Sequence, residues 1–538
     1  MFARTLLNNI GGPDGLIKVH NRIDDLAFYD DKEHKKTYLS LDKGLATSLA
    51  SATSKDSRDS DGKPTRRGGP AQEFAKNWRK EFSEFGVKKY DLELVEGGQK
   101  VRGYQSLVSL MQRSDAKYSS NFLHGLADDI RAKEDPKQHG DPDIWDLKGG
   151  FAGKKNDESG LFDHGGSGRF ANDPLDGVLG IMSKNPEAAT QYFDSDEGED
   201  RFNYLKEERD WKLVDREHSQ TSPMGQVQIV PGPDREDADA RSGYGAALEA
   251  AMTGQVPGSS DMPAFFAKHD DDEVRVFEKV VKAYGADAEK TSASIPENLR
   301  QNMANAVSSY PADVNRILGD EADYSQIKSG TDPNGVSISG DKMRNFLRGV
   351  SEDGGAFRTI HDSQVAHIAD SISGLGRDDF AEYGDSESVK GVVRRSGQAM
   401  GSLDLIRADV LTSQRDAEID ENNWAKTYQY HVIGAPLTGI PYVGDSVQRI
   451  VDIGTGQHAA ALNEAVENRT RQELIEYYAQ NGYPRLREMI DERAKEVGVP
   501  DAEIVNSGGS MGDLKGDAHS WYNSGIGETK GRTSGEID

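Results

Sequence analysis

Apolar residues recur along this chain at the three- and four-residue spacing of amphipathic helices, and strict apolar–polar alternation is nearly absent. The longest such stretch runs from Ser388 to Val499. Val389, Val392, Val393, Ala399, Leu403, Ile406, Val410 and Leu411 precede a single break at Gly434-Ala435-Pro436-Leu437-Thr438-Gly439-Ile440-Pro441, and Val447, Ile450, Val451, Ala459, Leu462 and Val466 follow it. This pattern predicts long helices folded back on each other, a scaffold rather than an active site.

The rest of the chain reads in the same rhythm. Leu16, Ile17, Val19, Ile23 and Leu26 predict a helix entered through Pro13-Asp14, and a second follows over Leu41–Thr53. Ser54 to Gly69 has nothing to bury and reads as an exposed loop. Phe74, Trp78, Phe82 and Phe85 fall at i, i+4, i+8 and i+11, one aromatic face on a helix that docks into a core. Asp91 to Val95 predicts a minor strand. Asp173-Pro174 is a helix start, with Asp as N-cap and Pro in the first turn. A polar loop runs from Trp211 to about Ala240, and Gly243–Gly254 is an Ala-rich helix with a glycine stop.

The expected fold class is therefore all-α: an elongated multi-helix bundle with a long C-terminal helical hairpin and extended polar loops. Its divisions are an N-terminal helical region at 1–133, a Gly-rich linker at 134–172, a central helical domain at 173–386, a long-helix region at 387–499 and a disordered tail at 500–538, where Gly, Ser and Asp leave little to bury.

Composition narrows the function classes. A chain of 538 residues makes roughly two to four compact units. Only 35% of its residues are hydrophobic and 58 are glycine, so helical blocks are expected to alternate with solvated loops. A net charge of −27 opposes general binding to nucleic acid or anionic membrane, which requires clustered Lys and Arg. The absence of cysteine removes disulfides, thiolate nucleophiles and zinc ribbons. No basic-then-apolar leader follows Met1, and no window offers the roughly 18–20 apolar residues of a spanning helix. The expected localisation is soluble, with any export by a route that needs no cleaved signal.

Templates for chemistry fail one by one. His361 and His367 stand six apart, off a shared helical face, so a two-His metal site is not expected. Gly149-Gly150-Phe151-Ala152-Gly153-Lys154-Lys155 lacks the spacing and the Ser or Thr of a phosphate loop, and Gly165-Gly166-Ser167-Gly168 lacks the flanks of a dinucleotide fingerprint. Asp56 to Gly62 and Asp332 to Gly335 echo parts of a calcium loop without its terminal Glu. Asp270-Asp271-Asp272-Glu273 reads as helix capping. The reading assigns no catalytic, cofactor-binding or metal residue and leans against an enzyme. The apolar hinge at Val432–Gly444 is an interhelix connection whose alternative use is insertion into a membrane or a partner groove.

Several blocks in order carry a family resemblance: Asp173-Pro174-Leu175-Asp176-Gly177-Val178-Leu179, then Lys184-Asn185-Pro186-Glu187-Ala188-Ala189-Thr190-Gln191-Tyr192-Phe193, then Arg209-Asp210-Trp211, and Tyr244-Gly245-Ala246-Ala247-Leu248-Glu249-Ala250-Ala251-Met252-Thr253-Gly254. Over roughly 170–480 the chain resembles an uncharacterised domain-of-unknown-function family of large helix-rich proteins from Streptomyces and related actinobacteria, associated with WXG-type substrates of type VII secretion. The resemblance implies no catalytic residues. It implies a non-enzymatic helical scaffold or interaction protein that is exported or secretion-associated, with a protein partner or self-association; the alternatives are the helical body of a polymorphic toxin and a membrane-inserting protein. One feature departs from the secretion pattern: no Trp-x-Gly turn is present, since Arg79-Lys80 follow Trp78 and Ala425-Lys426 follow Trp424.

Overall fold

The computed structural model describes residues 2–54, 70–92, 100–148, 172–215, 217–221, 227–231, 234–237, 239–259, 268–285, 295–319, 335–383, 387–417 and 483–533. The fold is all-α, a multi-helix assembly with a few short strand pairs. Contacts divide the chain into two compact units, Met1–Gly258 and Ser259–Asp538. That division falls inside the stretch 173–386 that the sequence groups as one domain, and not in the Gly-rich stretch 134–172.

In the first unit, α1 (Phe2–Asn9), α2 (Gly12–Asp25) and α3 (Lys35–Thr53) pack against one another. The turn into α2 is tight. Gly11 sits at φ 101°, and a Cβ on Gly15 would lie 1.8 Å from the Ile10 carbonyl oxygen, so glycine is required there. The aromatic helix α4 (Pro70–Phe85) docks as its spacing predicts, with Trp78 and Phe82 buried and Phe74 and Phe85 half-buried. Phe82 stands 5.1 Å from Tyr104, and Tyr104 meets Trp145 edge-on at 5.9 Å, favourable ring geometries that run a chain of aromatics through the core. The minor strand is three residues long, β1 (Lys89–Asp91), antiparallel to β2 (Lys100–Arg102) with Tyr90 opposite Val101; of the expected Asp91–Val95, Asp91 belongs to it, Leu92 does not, and 93–95 lie outside the described residues.

Helices α5 (Gly103–Gln112), α6 (Ser120–Glu134), α7 (Pro174–Met182), α8 (Pro186–Asp194), α9 (Gly198–Asn203) and α10 (Ser242–Thr253) complete the unit. Asp173 caps α7 by accepting from the Asp176 amide at 3.0 Å, and α10 ends at Gly254 with φ 68°, both in line with the sequence signals. The polar run after Trp211 holds regular structure as well. Val214–Asp215 pairs in parallel with Leu147–Lys148, and Glu217–Thr221 pairs antiparallel with Val227–Pro231.

In the second unit, α11 (Asp271–Tyr284) starts at a capping box in which Asp270 accepts from the amides of Asp272 and Glu273. It buries Val276, Phe277, Val280, Val281 and Tyr284. Then come α12 (Glu297–Ser308), α13 (Pro311–Gly319), α14 (Gly340–Val350), α15 (Gly354–Ser373), α16 (Arg377–Ala381), α17 (Glu387–Ala417), α18 (Tyr483–Glu496), α19 (Asp501–Ile504) and α20 (Gly509–Thr533). Helices α17 and α18 lie where the C-terminal helical hairpin is expected. Its break at 434–441 and the hinge at 432–444 lie outside the described residues, as do the loop residues 55–69, the glycine loops at 149–155 and 165–168, the calcium-like run at 56–62 and residues 332–334 of the run at 332–335.

The stretch expected as a tail, 500–538, instead carries the 25-residue helix α20. Met511, Leu514, Ala518, Tyr522 and Ile526 form one narrow buried stripe along it. Its partner is α17, and glycines set the distance of approach. A Cβ on Gly401 would stand 2.1 Å from the Tyr522 carbonyl oxygen, and one on Gly525 would stand 2.2 Å from the Gln398 carbonyl oxygen. The two backbones touch where side chains would otherwise hold them apart. Polar bonds lock the register: Tyr522 donates to Asp404 at 2.7 Å and Gln398 to Glu528 at 3.1 Å.

Glycines on these two helices therefore differ in role. Gly401→Ala or Gly525→Ala forces the helices apart and is expected to cost ~1–3 kcal/mol in urea unfolding, as overpacking does. Gly516 has nothing within 4 Å of the Cβ position, so Gly516→Ala is expected to stabilise by about 1 kcal/mol through helix propensity alone.

Candidate functional site

Among the described residues, those weighed from sequence do not converge. His361 and His367 both lie on α15, with separate surroundings. Arg485 Nη1 lies 3.3 Å from His361 Nε2 and Asp362 lies 3.6 Å from its Nδ1, while burial pushes the His367 imidazole down against the pull of Asp370. Asp270 and Glu273 are spent on the capping of α11. A groove of about 320 Å³ opens between α1 and α3, lined by Phe2, Arg4, Thr47, Ser48 and Ser51 among others. It brings together no acid–base pair, and Arg4 Nε donates to the Ala52 carbonyl oxygen.

The strongest polar constellations are buried and were not predicted. At the end of α6, Glu134 is 3% exposed, and its two carboxylate oxygens accept four bonds. Trp145 Nε1 donates at 2.7 Å, Tyr204 Oη at 2.9 Å, and Arg209 Nε and Nη2 at 2.5 and 3.0 Å. The other edge of the Arg209 guanidinium makes a fork onto Asp173, at 2.7 and 2.8 Å, while its face lies over Trp211 at 4.3 Å. The planar fork of arginine suits two carboxylates at once, which a lysine ammonium does not. Asp173 thus serves both as the N-cap of α7 and as a counter-ion of Arg209.

One turn on, Asp176 is buried and accepts from the amides of Gly243 and Tyr244 at 2.9 and 2.7 Å, capping α10 from outside the helix. Burial, then the Asp173 charge, pushes its carboxyl well above the usual range. Asp237 is pushed up to about 6 by burial and by Asp173. Perturbed carboxylates of this kind mark active sites when they face a cleft. Here the Asp176 oxygens are taken by backbone amides, so the arrangement fastens α7 to α10.

The second constellation lies under the N-terminal helices. His20 on α2 is 1% exposed, and its Nδ1 stands 2.9 Å from both oxygens of Asp42 on α3. Its Nε2 stands 3.5 Å from Asp24, one turn along α2. Arg113, just past α5, sits 3.1 Å from both Asp24 oxygens and 3.4 Å from Asp42. The ligand-type atoms of His20, Asp24 and Asp42 lie within 4.8 Å of one another, close enough for a cation. Charge decides the assignment. Arg113 already neutralises one carboxylate and a protonated His20 neutralises the other, whereas a divalent ion beside Arg113 and a neutral imidazole would leave a buried net charge of +1. With His20 protonated, these four residues form a charge-balanced ion-pair quartet.

Sequence separation explains why both clusters escaped notice. Glu134 and Arg209 are 75 residues apart, and His20 and Arg113 belong to different helices. The one local signal in the sequence is the i, i+4 pair His20 and Asp24.

Together these features define a class: a large, mainly helical protein in which the buried Glu134, Arg209 and Asp176, with Asp173, close on one another and on backbone amides. Residues 110–481, more than half of the chain, match a family of unknown function, DUF6571, and the chain belongs to that family. No curated protein and no solved structure matches it.

Glu134→Ala leaves Arg209 half-paired and removes the acceptor of Trp145 and Tyr204. It is expected to destabilise the first unit by ~3–5 kcal/mol in urea unfolding, the cost typical of breaking a buried pair.

Proposed function

We propose that this chain is a non-enzymatic helical scaffold that works by contact with a protein partner or a second copy, as an exported or secretion-associated factor of an actinobacterium. The observation that carries the first part is the way the buried ionisable groups are spent. Glu134, Arg209, Asp173 and Asp176 use their hydrogen-bonding capacity on each other and on backbone amides. Residues committed in this way hold helices and do not turn over a substrate. Exposed apolar side chains supply places for contact: Phe2 is 80% exposed, Tyr29 63% and Leu41 55%. Acidity favours a partner with basic character, because complementary charge speeds encounter and suppresses wrong pairing. The secretion part rests on the order of the sequence blocks from Asp173 to Gly254.

Two measurements test the reading. In fractionated actinobacterial cultures producing the full chain, the protein is expected in the medium; confinement to the cell interior removes the secretion part. Phe2→Ser with Leu41→Ser is expected to abolish the cross-linked complexes formed by the native chain while leaving its circular dichroism unchanged. Undiminished complexes in that variant remove these residues from the contact surface.

A further inference from the structure

We propose that His20 is a proton-controlled latch, whose imidazolium clamps α2 to α3 and whose deprotonation releases the N-terminal helices. The argument starts from geometry. Both ring nitrogens face carboxylate oxygens, Nδ1 toward Asp42 at 2.9 Å and Nε2 toward Asp24 at 3.5 Å. A neutral imidazole carries one N–H and would set a lone pair against one of the two anions. Only the doubly protonated ring serves both sides. The side chains of His20 and Asp24 are each 2% exposed and that of Asp42 is fully buried, so water does not substitute for the missing donor.

The charged groups facing the ring are Asp24 from its own helix, Asp42 from α3 and Arg113 from the end of α5. With His20 protonated the quartet sums to zero. Without that proton a net −1 remains inside the helical layer, and a buried uncompensated charge is strongly destabilising. Burial alone pushes the His20 pKa down, but Asp42 and then Asp24 outweigh it and leave the group raised above the ordinary histidine value, with Arg113 opposing. Burial in turn holds the Asp24 carboxyl up, against His20 and Arg113.

The sign follows. A histidine with its folded-state pKa raised contributes stability that is fully present below the unfolded value, about 6.5. That contribution declines by about tenfold in the opening equilibrium per pH unit above it and is gone once pH passes the folded value. Release would wet Leu16, Ile17, Ala46 and Leu49, which α2 and α3 now bury. The latch thus converts a rise in pH into exposed apolar surface at the N-terminal helices.

The test is hydrogen exchange on the full chain from about pH 5.5 to about pH 9, with protection factors corrected for the intrinsic rate. Peptides covering α2 and α3 are expected to lose protection as pH rises above the ordinary histidine range, while peptides of α17 and α20 in the second unit do not. In Asp42→Asn the ring loses its closer anion, so the step is expected at lower pH; His20→Gln is expected to show weak protection and no step. If His20→Gln does not fold, the displaced step in Asp42→Asn decides alone. A flat profile in the native chain, or a step that Asp42→Asn leaves in place, overturns the latch. Zinc ion restoring protection at the alkaline end also overturns it, because the group would then be a metal site.

Discussion

A charge removed from water has to meet its opposite at hydrogen-bonding distance, and the helices of both units are placed where their buried charges can do so. In the first unit, the guanidinium of Arg209 between Glu134 and Asp173 joins the end of α6 to the start of α7, across a stretch rich in glycine. The quartet around His20 joins α2, α3 and the end of α5. In the second, Arg348 reaches Asp409 on α17 at 2.9 Å and Glu352 at 2.7 Å, and Arg344 reaches Glu528 on α20 at 2.5 Å. Apolar burial drives these helices together. The ion pairs select which faces meet, because a shifted register would strand a charge.

That division of labour bears on function. An enzyme keeps some reactive groups unsatisfied until substrate arrives. In the cluster of Glu134, Arg209 and Asp173, the carboxylates and the guanidinium are taken up by neighbours, and the perturbed acids Asp176 and Asp237 sit against backbone amides and other side chains. Among the described residues no helix is long and apolar enough to cross a membrane.

Much of the helical layout was legible because it is local. Three- and four-residue periodicity, Asp-Pro starts, the Asp270 capping box and the glycine stop of α10 each depend on residues within a turn or two of one another. The aromatic face of α4 was readable for the same reason. What escaped notice is non-local. Glu134 looked like the last residue before a linker because its partner lies far along the chain. Likewise α20 looked like a tail because glycine lowers helix propensity and its apolar stripe is a single residue wide. Neither property reveals that Gly401 and Gly525 buy contact between two backbones, which no propensity scale records. The hairpin strands between Glu217 and Pro231 were hidden by polar composition, since pairing in a short ribbon rests on backbone bonds more than on apolar alternation.

The pairing of α17 with α20 has a consequence for how the chain is made. During synthesis α17 leaves the ribosome well before its partner exists, and its glycine-notched face, with Met400 and Ala408 beside it, has to wait in water. A helix as rich in glycine as α20 gains too little from its own hydrogen bonds to persist undocked. The second unit therefore completes its core only through a late, long-range encounter, the kind of step at which nascent chains aggregate and at which chaperones bind.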